Sequence, residues 1–425
     1  MAQIPIKYGR VTLRLDIPDQ NLQHQTQLGN HARTPVNSRL LNQALTQLDP
    51  QLVRGRHVMV LCDDYTRPTP RATVFHALFP KLSTARKVDF LITTGTHKTE
   101  VPGNTEIFKL ARREAEKAGI PGFEMSIHDV RTADFVDAGI TSRGTHVSFN
   151  RQLTKPDVFI VISDCKPHYF AGYSNPLKHF LPGCCAFHTV EQNHGMALDK
   201  NAAFGRHPLH PNPDRRENPL AQDQLEGLRL IAGERPVYAM HLITLNGQIL
   251  DAEFGEIFTT LPKFLPRVDE YFSQTVAPAD IAIVSPGGFP DDESLYTAQR
   301  ALELTAAGVK TGGRVLFLAA CENGIGTVTS RKNFYQPLTR PLETVLKTIE
   351  DAYVLYAHKA YKFAVMIQDL SVLAVKSELD DNEISAIHMT PVHNIQKILD
   401  QWLARDPDAT INVFHQANKL AVYAK

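Results

Sequence analysis

Apolar residues fall in short blocks along this chain, and several blocks end in a polar loop bearing glycine, threonine, aspartate or histidine. His57–Cys62 (HVMVLC), Lys87–Ile92 (KVDFLI) and Val158–Ser163 (VFIVIS) are near-continuous apolar runs of strand length. That pattern predicts strands buried on both faces rather than half-exposed ones. The first empties into Asp63-Asp64-Tyr65-Thr66-Arg67-Pro68-Thr69-Pro70, and the second into Thr93-Thr94-Gly95-Thr96-His97-Lys98. The third empties into a stretch from Lys166 to His194 that carries His168, Lys178, His179 and His194. Helical spacing runs over 35–48, where Leu40, Leu41, Ala44 and Leu48 share a face, and over about 104–118; another helix is predicted to start near Pro70. Residues 6–16 alternate apolar and polar and predict a strand or hairpin arm. In a parallel sheet the loops at carboxyl ends lie on one edge and converge on a ligand. Asp64, Arg67, His97, His168 and Lys178 are therefore expected to meet.

Residues 200–222 are rich in proline, asparagine and charge and predict a loop or lid; 223–232 and 256–273 have helical spacing. The pattern resets near Val276-Ala277-Pro278. Asp280–Ser285 then predicts a strand emptying into Pro286-Gly287-Gly288-Phe289-Pro290, with a helix from about Asp292 through Ala307. Arg314–Ala319 is the next strand, helices fall near 333–350 and 391–404, and strands near 370–375 and 410–414. The expected fold class is α/β: two Rossmann-like α/β domains with a cofactor cleft between them. Residues 1–275 would carry the site, and 276–425 would form a smaller domain closing over the substrate.

A chain of 425 residues exceeds the roughly 250–300 that one core supports, in keeping with two domains. Lysine plus arginine and aspartate plus glutamate both number 45, so the basic excess of a nucleic-acid or acidic-membrane binder is missing. No apolar run approaches the roughly 18 residues of a membrane span, and the first residues lack the pattern of a signal peptide. Five scattered cysteines suggest neither a disulfide framework nor a paired metal motif, and a cytoplasmic setting fits them. GGFP at 287–290 is not the dinucleotide fingerprint, and no phosphate-binding P-loop, nucleophile elbow or HExxH motif occurs.

The remaining candidates carry chemistry through residue type. His97 and His168 follow strand ends; a lone loop histidine is more often a capping residue, but two at neighbouring ends suit proton exchange near neutrality. Arg67 offers a planar fork to a carboxylate or phosphate, or else pairs with Asp63 or Asp64. Lys178 is either a solvated helix lysine or, in a dry pocket, a covalent tether. His194 reads alone as a cap or core histidine, and Cys184-Cys185 as small-residue packing.

Taken together, DDYTRPTP (63–70), TTGTHK (93–98), KPHYFAGYSNPLKHFLPG (166–183) and QNH (192–194) resemble the nickel-pincer nucleotide-dependent lactate racemase family and its 2-hydroxyacid racemase and epimerase relatives. PGGFP…LYTAQRALE (286–303) resembles that family's second-domain motif. The resemblance implies a nicotinic-acid-derived mononucleotide whose two sulfur arms and ring carbon grip planar Ni(II), covalently tethered at Lys178. It implies His194 as nickel ligand, His97 and His168 as the acid/base pair, and Arg67 as the carboxylate clamp. Asp64 and Thr66 would line the site, with Gly172, Tyr173 and Ser174 at the nucleotide phosphate, the first two through backbone N–H groups. Thr297, Arg300 and His358 would face a small 2-hydroxy acid. The cofactor-making enzymes are implied as transient partners. The chain departs from the family pattern at Ser174-Asn175-Pro176, where a glycine pair is usual. It departs again at Thr297 and Arg300, where glutamine and lysine are frequent, and near His358, where lactate enzymes often have tryptophan. These changes leave the acid open: lactate or a related 2-hydroxy acid. The alternative expectation is a nucleotide- or phosphate-binding protein on the same scaffold without racemase chemistry.

Overall fold

A computed structural model describes residues 1–26, 28 and 37–425. The first two positions of the helix expected over 35–48 lie outside the described residues; the helix runs Asn37–Ala44 and tightens to a 3-10 turn over Leu45–Gln47. The chain forms two compact units, Ala32–Val268 and Met1–His31 with Asp269–Lys425.

The first unit is built on a six-stranded sheet. Its spatial order is Gln248–Glu256, Val237–Leu245, Val158–Asp164, His57–Asp63, Lys87–Thr93, Phe123–Ile127. Neighbours are parallel except Gln248–Glu256, which returns antiparallel to Val237–Leu245. Counted along the chain from the Phe123–Ile127 edge, the order is 3-2-1-4-5-6, the doubly wound arrangement. Every residue of His57–Asp63 and of Val158–Asp164 is buried, as apolar runs without alternation require. One face is sealed by Val58, Val60, Phe75, Phe79 and Phe90, with the Phe75 and Phe79 rings stacked at 5.0 Å. The order reverses between His57–Asp63 and Val158–Asp164, so successive crossovers leave in opposite directions. A crevice at the carboxyl ends of these two strands is the expected ligand position in such sheets.

The second unit holds a six-stranded, all-parallel sheet in the order Thr390–Pro391, Val372–Lys376, Val309–Leu318, Ala279–Val284, Ile411–Phe414, Leu22–Thr26. This corrects the expected division at 275/276. Leu22–Thr26 is an edge strand on Ile411–Phe414. The hairpin Ala2–Tyr8 and Val11–Ile17 lays Ile4, Ile6, Leu15 and Ile17 into a core with Ile281, Leu316 and Trp402. Alternation in the sequence marked these strands without telling which core their apolar face would join. The helix expected over 333–350 is also broken: a π-helical turn over Arg331–Tyr335 and a short turn over Gln336–Leu338 precede Leu342–Asp351. Pro341, which cannot donate into a preceding turn, stands at that last helix's start.

Candidate active site

The strand His57–Asp63 delivers two carboxylates with different duties. Asp63 accepts from Arg71 Nη2 at 2.7 Å and from Thr69 Oγ1 at 2.6 Å, which pins the loop to the following helix. Asp64 accepts from Thr66 Oγ1 at 2.6 Å and from the Thr66 N–H at 3.2 Å on one oxygen, and meets His97 Nδ1 at 2.8 Å on the other. Burial alone would raise the Asp64 carboxyl, but the hydrogen bonds from His97 and Thr66 and the nearby Arg67 charge outweigh it and hold the group below its ordinary value. An ionised carboxylate only accepts, so Nδ1 of His97 carries a proton and Nε2 is turned outward as the basic atom. The Asp64 side chain is 4% exposed and that of His97 44%, which leaves the imidazole open while its orienting carboxylate is not. Among the described residues the Arg67 guanidinium makes no ion pair with either aspartate, so the surface-pair reading does not hold and its fork is open for an anion.

The strand Val158–Asp164 leads through Cys165 to the short antiparallel pair Lys166–His168 and Gly172–Ser174. The tip of this pair presents Phe170. The His168 ring lies 4.6 Å from the Phe170 ring, the His194 ring 5.5 Å, and Lys178 Nζ 6.0 Å. One aromatic side chain thus gathers three of the groups singled out in the sequence. His168 Nδ1 accepts from the Ala171 N–H at 3.3 Å, which places its neutral-state proton on Nε2. His97 and His168 therefore present opposite faces of imidazole chemistry, a lone pair and an N–H. His194 stands in the last turn of helix Phe187–Gly195. Burial, then the positive charge of Lys178, push its imidazole down to about 3, so it is a neutral nitrogen donor across the physiological range. Its neighbour Asn193 donates to Asp223 at 2.8 Å, and Thr141 and Thr145 donate to the same fully buried carboxylate, which fixes that turn. A neutral imidazole and a primary amine around one ring fit a nickel-bearing mononucleotide held through an amine.

Gly172 has φ +76°, and a Cβ there would sit 1.8 Å from the Arg206 carbonyl oxygen, so only glycine fits. Tyr173 differs from expectation. Its N–H already donates to the Ala171 carbonyl at 2.8 Å, its side chain is fully buried, and its hydroxyl accepts from Arg215 Nη2 at 2.8 Å. A tight turn, which the glycine permits, has turned that N–H inward. Ser174 is only partly buried, opposite Lys166 in the pair. The segment 200–222, expected as a loop or lid, packs on this turn: Gly205 donates to the Gly172 carbonyl at 3.1 Å, and His207 and His210 are buried within it.

Thr297, Arg300 and His358 lie in the second unit. The Thr297 hydroxyl meets Ser294 Oγ at 3.0 Å in the N-terminal cap of Leu295–Ala298. Arg300 begins the next helix, and its charge reaches Lys359, which is nearly fully buried, donates to the Tyr296 carbonyl and lies 4.0 Å over the Tyr296 ring. His358 is buried, with Nδ1 at 2.7 Å from the Tyr353 hydroxyl. Sequence reasoning passed over Phe170, Arg71 and Thr93. Phe170 lies inside the KPHYFAG run and Arg71 follows the expected helix start at Pro70, and only the fold shows what they touch.

Burial also pushes His128 to about 4 and His179, His207 and His241 to about 3. Each is neutral when folded and takes up a proton on unfolding below its ordinary value of 6.5. Stability contributed this way is complete above 6.5 and is lost as pH falls toward 3–4. Denaturant midpoints are expected to decline steadily between pH 6.5 and 4; a midpoint that rises over this interval contradicts the neutral assignments.

The family model described as Lactate racemase N-terminal domain matches residues 8–205, and the one described as Lactate racemase C-terminal domain matches residues 274–418. A lactate racemase of Thermoanaerobacterium thermosaccharolyticum is 26% identical over 341 residues, covering 77% of this chain and 76% of its own. A lactate racemase of Lactiplantibacillus plantarum is 24% identical over 435 residues, covering 96% of each. The solved lactate racemase apoprotein from T. thermosaccharolyticum superposes with TM-score 0.83 at 21% identity, over 99% of this chain and 100% of that one. A Thermotoga maritima protein superposes with TM-score 0.66 at 14% identity, over 94% and 100%.

Proposed function

Since the chain belongs to the lactate racemase family and is a racemase, we propose that it inverts the chiral carbon of a 2-hydroxy acid, lactate or a close relative, with a nickel-pincer nucleotide tethered at Lys178. The observation that carries this reading is the gathering of His168, His194 and Lys178 on Phe170 at one flank of the sheet's order reversal, with the Asp64–His97 pair at the other. His194 would bind nickel through its neutral ring, and the Lys178 amine would supply the tether. When bound, the group supplies a hydride acceptor, which spares the substrate a carbanion beside its carboxylate. Arg67 holds that carboxylate by a two-point contact. His97 Nε2, backed by Asp64, takes the hydroxyl proton as the α-hydrogen departs. His168, entering the cycle as imidazolium, would return a proton from Nε2 when hydrogen comes back to the other face of the planar oxo acid, and would be left neutral. In the reverse direction the two histidines exchange roles, as a reaction with mirror-related halves requires. The enzymes that make the nucleotide would be transient partners. A cytoplasmic setting is supported by five cysteines that are all unpaired.

Protein co-produced with the cofactor-making enzymes is expected to carry a mass increase on the peptide containing Lys178. The increase is absent from Lys178→Ala. An unmodified Lys178 in nickel-containing, active protein defeats the tether assignment.

A further inference from the structure

Arg67 and Asp64 stand on one loop and His97 on another, and the two loops leave neighbouring parallel strands, His57–Asp63 and Lys87–Thr93. One link between them is the contact of Asp64 with His97 at 2.8 Å. A second is made by a side chain that none of the steps above uses. Asn104 is the third residue of helix Pro102–Lys117 and is 2% exposed. Its Oδ1 accepts from the Tyr65 N–H at 3.1 Å. Its Nδ2 donates to the Thr99 carbonyl at 3.0 Å and to the Lys98 carbonyl at 3.4 Å. A carboxamide has one acceptor oxygen and two N–H protons, and each finds its opposite here. Turned end for end, it would set its NH2 against an N–H and its oxygen against two carbonyls, so its orientation is fixed. The helix start is held as closely: a Cβ on Gly103 would sit 2.5 Å from Tyr65 Cβ, so the helix backbone rests directly on the first loop. Tyr65 follows Asp64 and precedes Thr66-Arg67, and Lys98 follows His97. Asn104 therefore grips the main chain next to each of the three groups.

In a 2-hydroxy acid the hydroxyl is on the carbon adjoining the carboxylate, so the base that takes its proton must stand at one fixed separation from the clamp. With Arg67 on one loop and His97 on the other, that separation is the separation of the loops. A single contact between side chains, Asp64 to His97, orients the ring without fixing the loops that carry it. Three bonds from one planar amide to both main chains do fix them. We infer that Asn104 is a positioning residue for the reaction, holding the His97 loop against the Arg67 loop so that Nε2 meets the hydroxyl of the clamped acid. It touches no reacting atom and acts through His97. This rests on the racemase reading and deepens it. A displacement of about 1 Å between a base and its substrate is worth roughly 10²-fold in rate, so a staple of this kind matters to turnover more than to affinity.

The test uses holoprotein and a chiral assay on lactate, 2-hydroxybutyrate and malate, and carries the acid turned over best through a set of variants. Asn104→Leu keeps the volume and removes all three bonds. Asn104→Asp keeps the acceptor for Tyr65 and removes the donors to Thr99 and Lys98. Both are expected to lower kcat about 10–100-fold. KM is expected to stay within about threefold, because the Arg67 loop is separately pinned through Asp63 by Arg71 and Thr69. Nickel content and the Lys178 adduct, read by metal analysis and mass, stay as they were. In the His97→Ala background, adding Asn104→Leu is expected to slow single turnover by less than about twofold, since residues that act through one group are not additive. A second full drop in that background, an unchanged kcat, or a KM that rises as far as kcat falls overturns the inference and leaves the racemase reading intact. Where Asn104→Leu does not fold, Asn104→Asp, with one of the bonds retained, carries the same comparison. Absence of turnover of all three acids by the unsubstituted holoprotein overturns the racemase reading and this one with it.

Discussion

Alanine in place of His97 is expected to lower kcat for racemisation by about 10²–10⁴-fold, the usual worth of a positioned general base, while nickel content and the Lys178 adduct stay as they were. The same holds for His168→Ala. Neither ring is placed to bind the metal in this reading; His97 is tied to Asp64 and His168 to the Ala171 N–H. Because racemisation uses each histidine once in either direction, both variants should slow D-to-L and L-to-D conversion alike. The two half-reactions separate the two rings. Each variant should retain half-reaction chemistry from only one enantiomer, seen as a transient oxo acid in single turnover. Near-normal kcat in either variant removes that residue from the mechanism. Loss of nickel from His97→Ala would place the ring among the metal ligands instead.

Gly172→Ala is expected to unfold the candidate phosphate turn. Its Cβ would lie 1.8 Å from the Arg206 carbonyl oxygen, a backbone atom that cannot swing aside, at φ +76°. Overpacking costs about 1–3 kcal/mol and a left-handed non-glycine about 1–2 kcal/mol more. The strain would be relieved by displacing residues 205–206, which cap this turn through Gly205 and Arg215. The expected readouts are a Tm several degrees lower and a smaller fraction of protein with modified Lys178. An unchanged Tm would mean the 200–216 segment is free to move off the turn, contrary to its buried histidines.

How far the sequence could be read depended on what each feature is physically made of. Buried strands announce themselves, because a run such as VFIVIS has no polar face to offer water; His57–Asp63, Lys87–Thr93 and Val158–Asp164 were legible for that reason. That they lie side by side, with the order reversing between the first and third, was not, since lateral order is settled by crossovers rather than by composition. Tyr173 was misjudged because the direction of an N–H depends on a turn geometry that two residues do not specify. Arg67 was left undecided between an anion clamp and an aspartate pair; that Arg71, not Arg67, pairs with Asp63 depends on the turn at Pro68–Pro70, which spacing alone does not specify. The placement of His358 against Tyr353 depends on a helix, Ala357–Gln368, that the apolar pattern did not suggest.

The edge pairing of Leu22–Thr26 with Ile411–Phe414 joins segments from opposite ends of the sequence. A ribosome releases the first long before the second exists. The unit Ala32–Val268, threaded as one continuous length between them, has all of its strands available while the other still waits for its partner. Folding during synthesis is thereby ordered: the strand ends that bear Asp64, His97 and His168 can set first. The early hairpin, with its apolar face of Ile4, Ile6, Leu15 and Ile17, cannot bury that face in its own core until the later strands emerge.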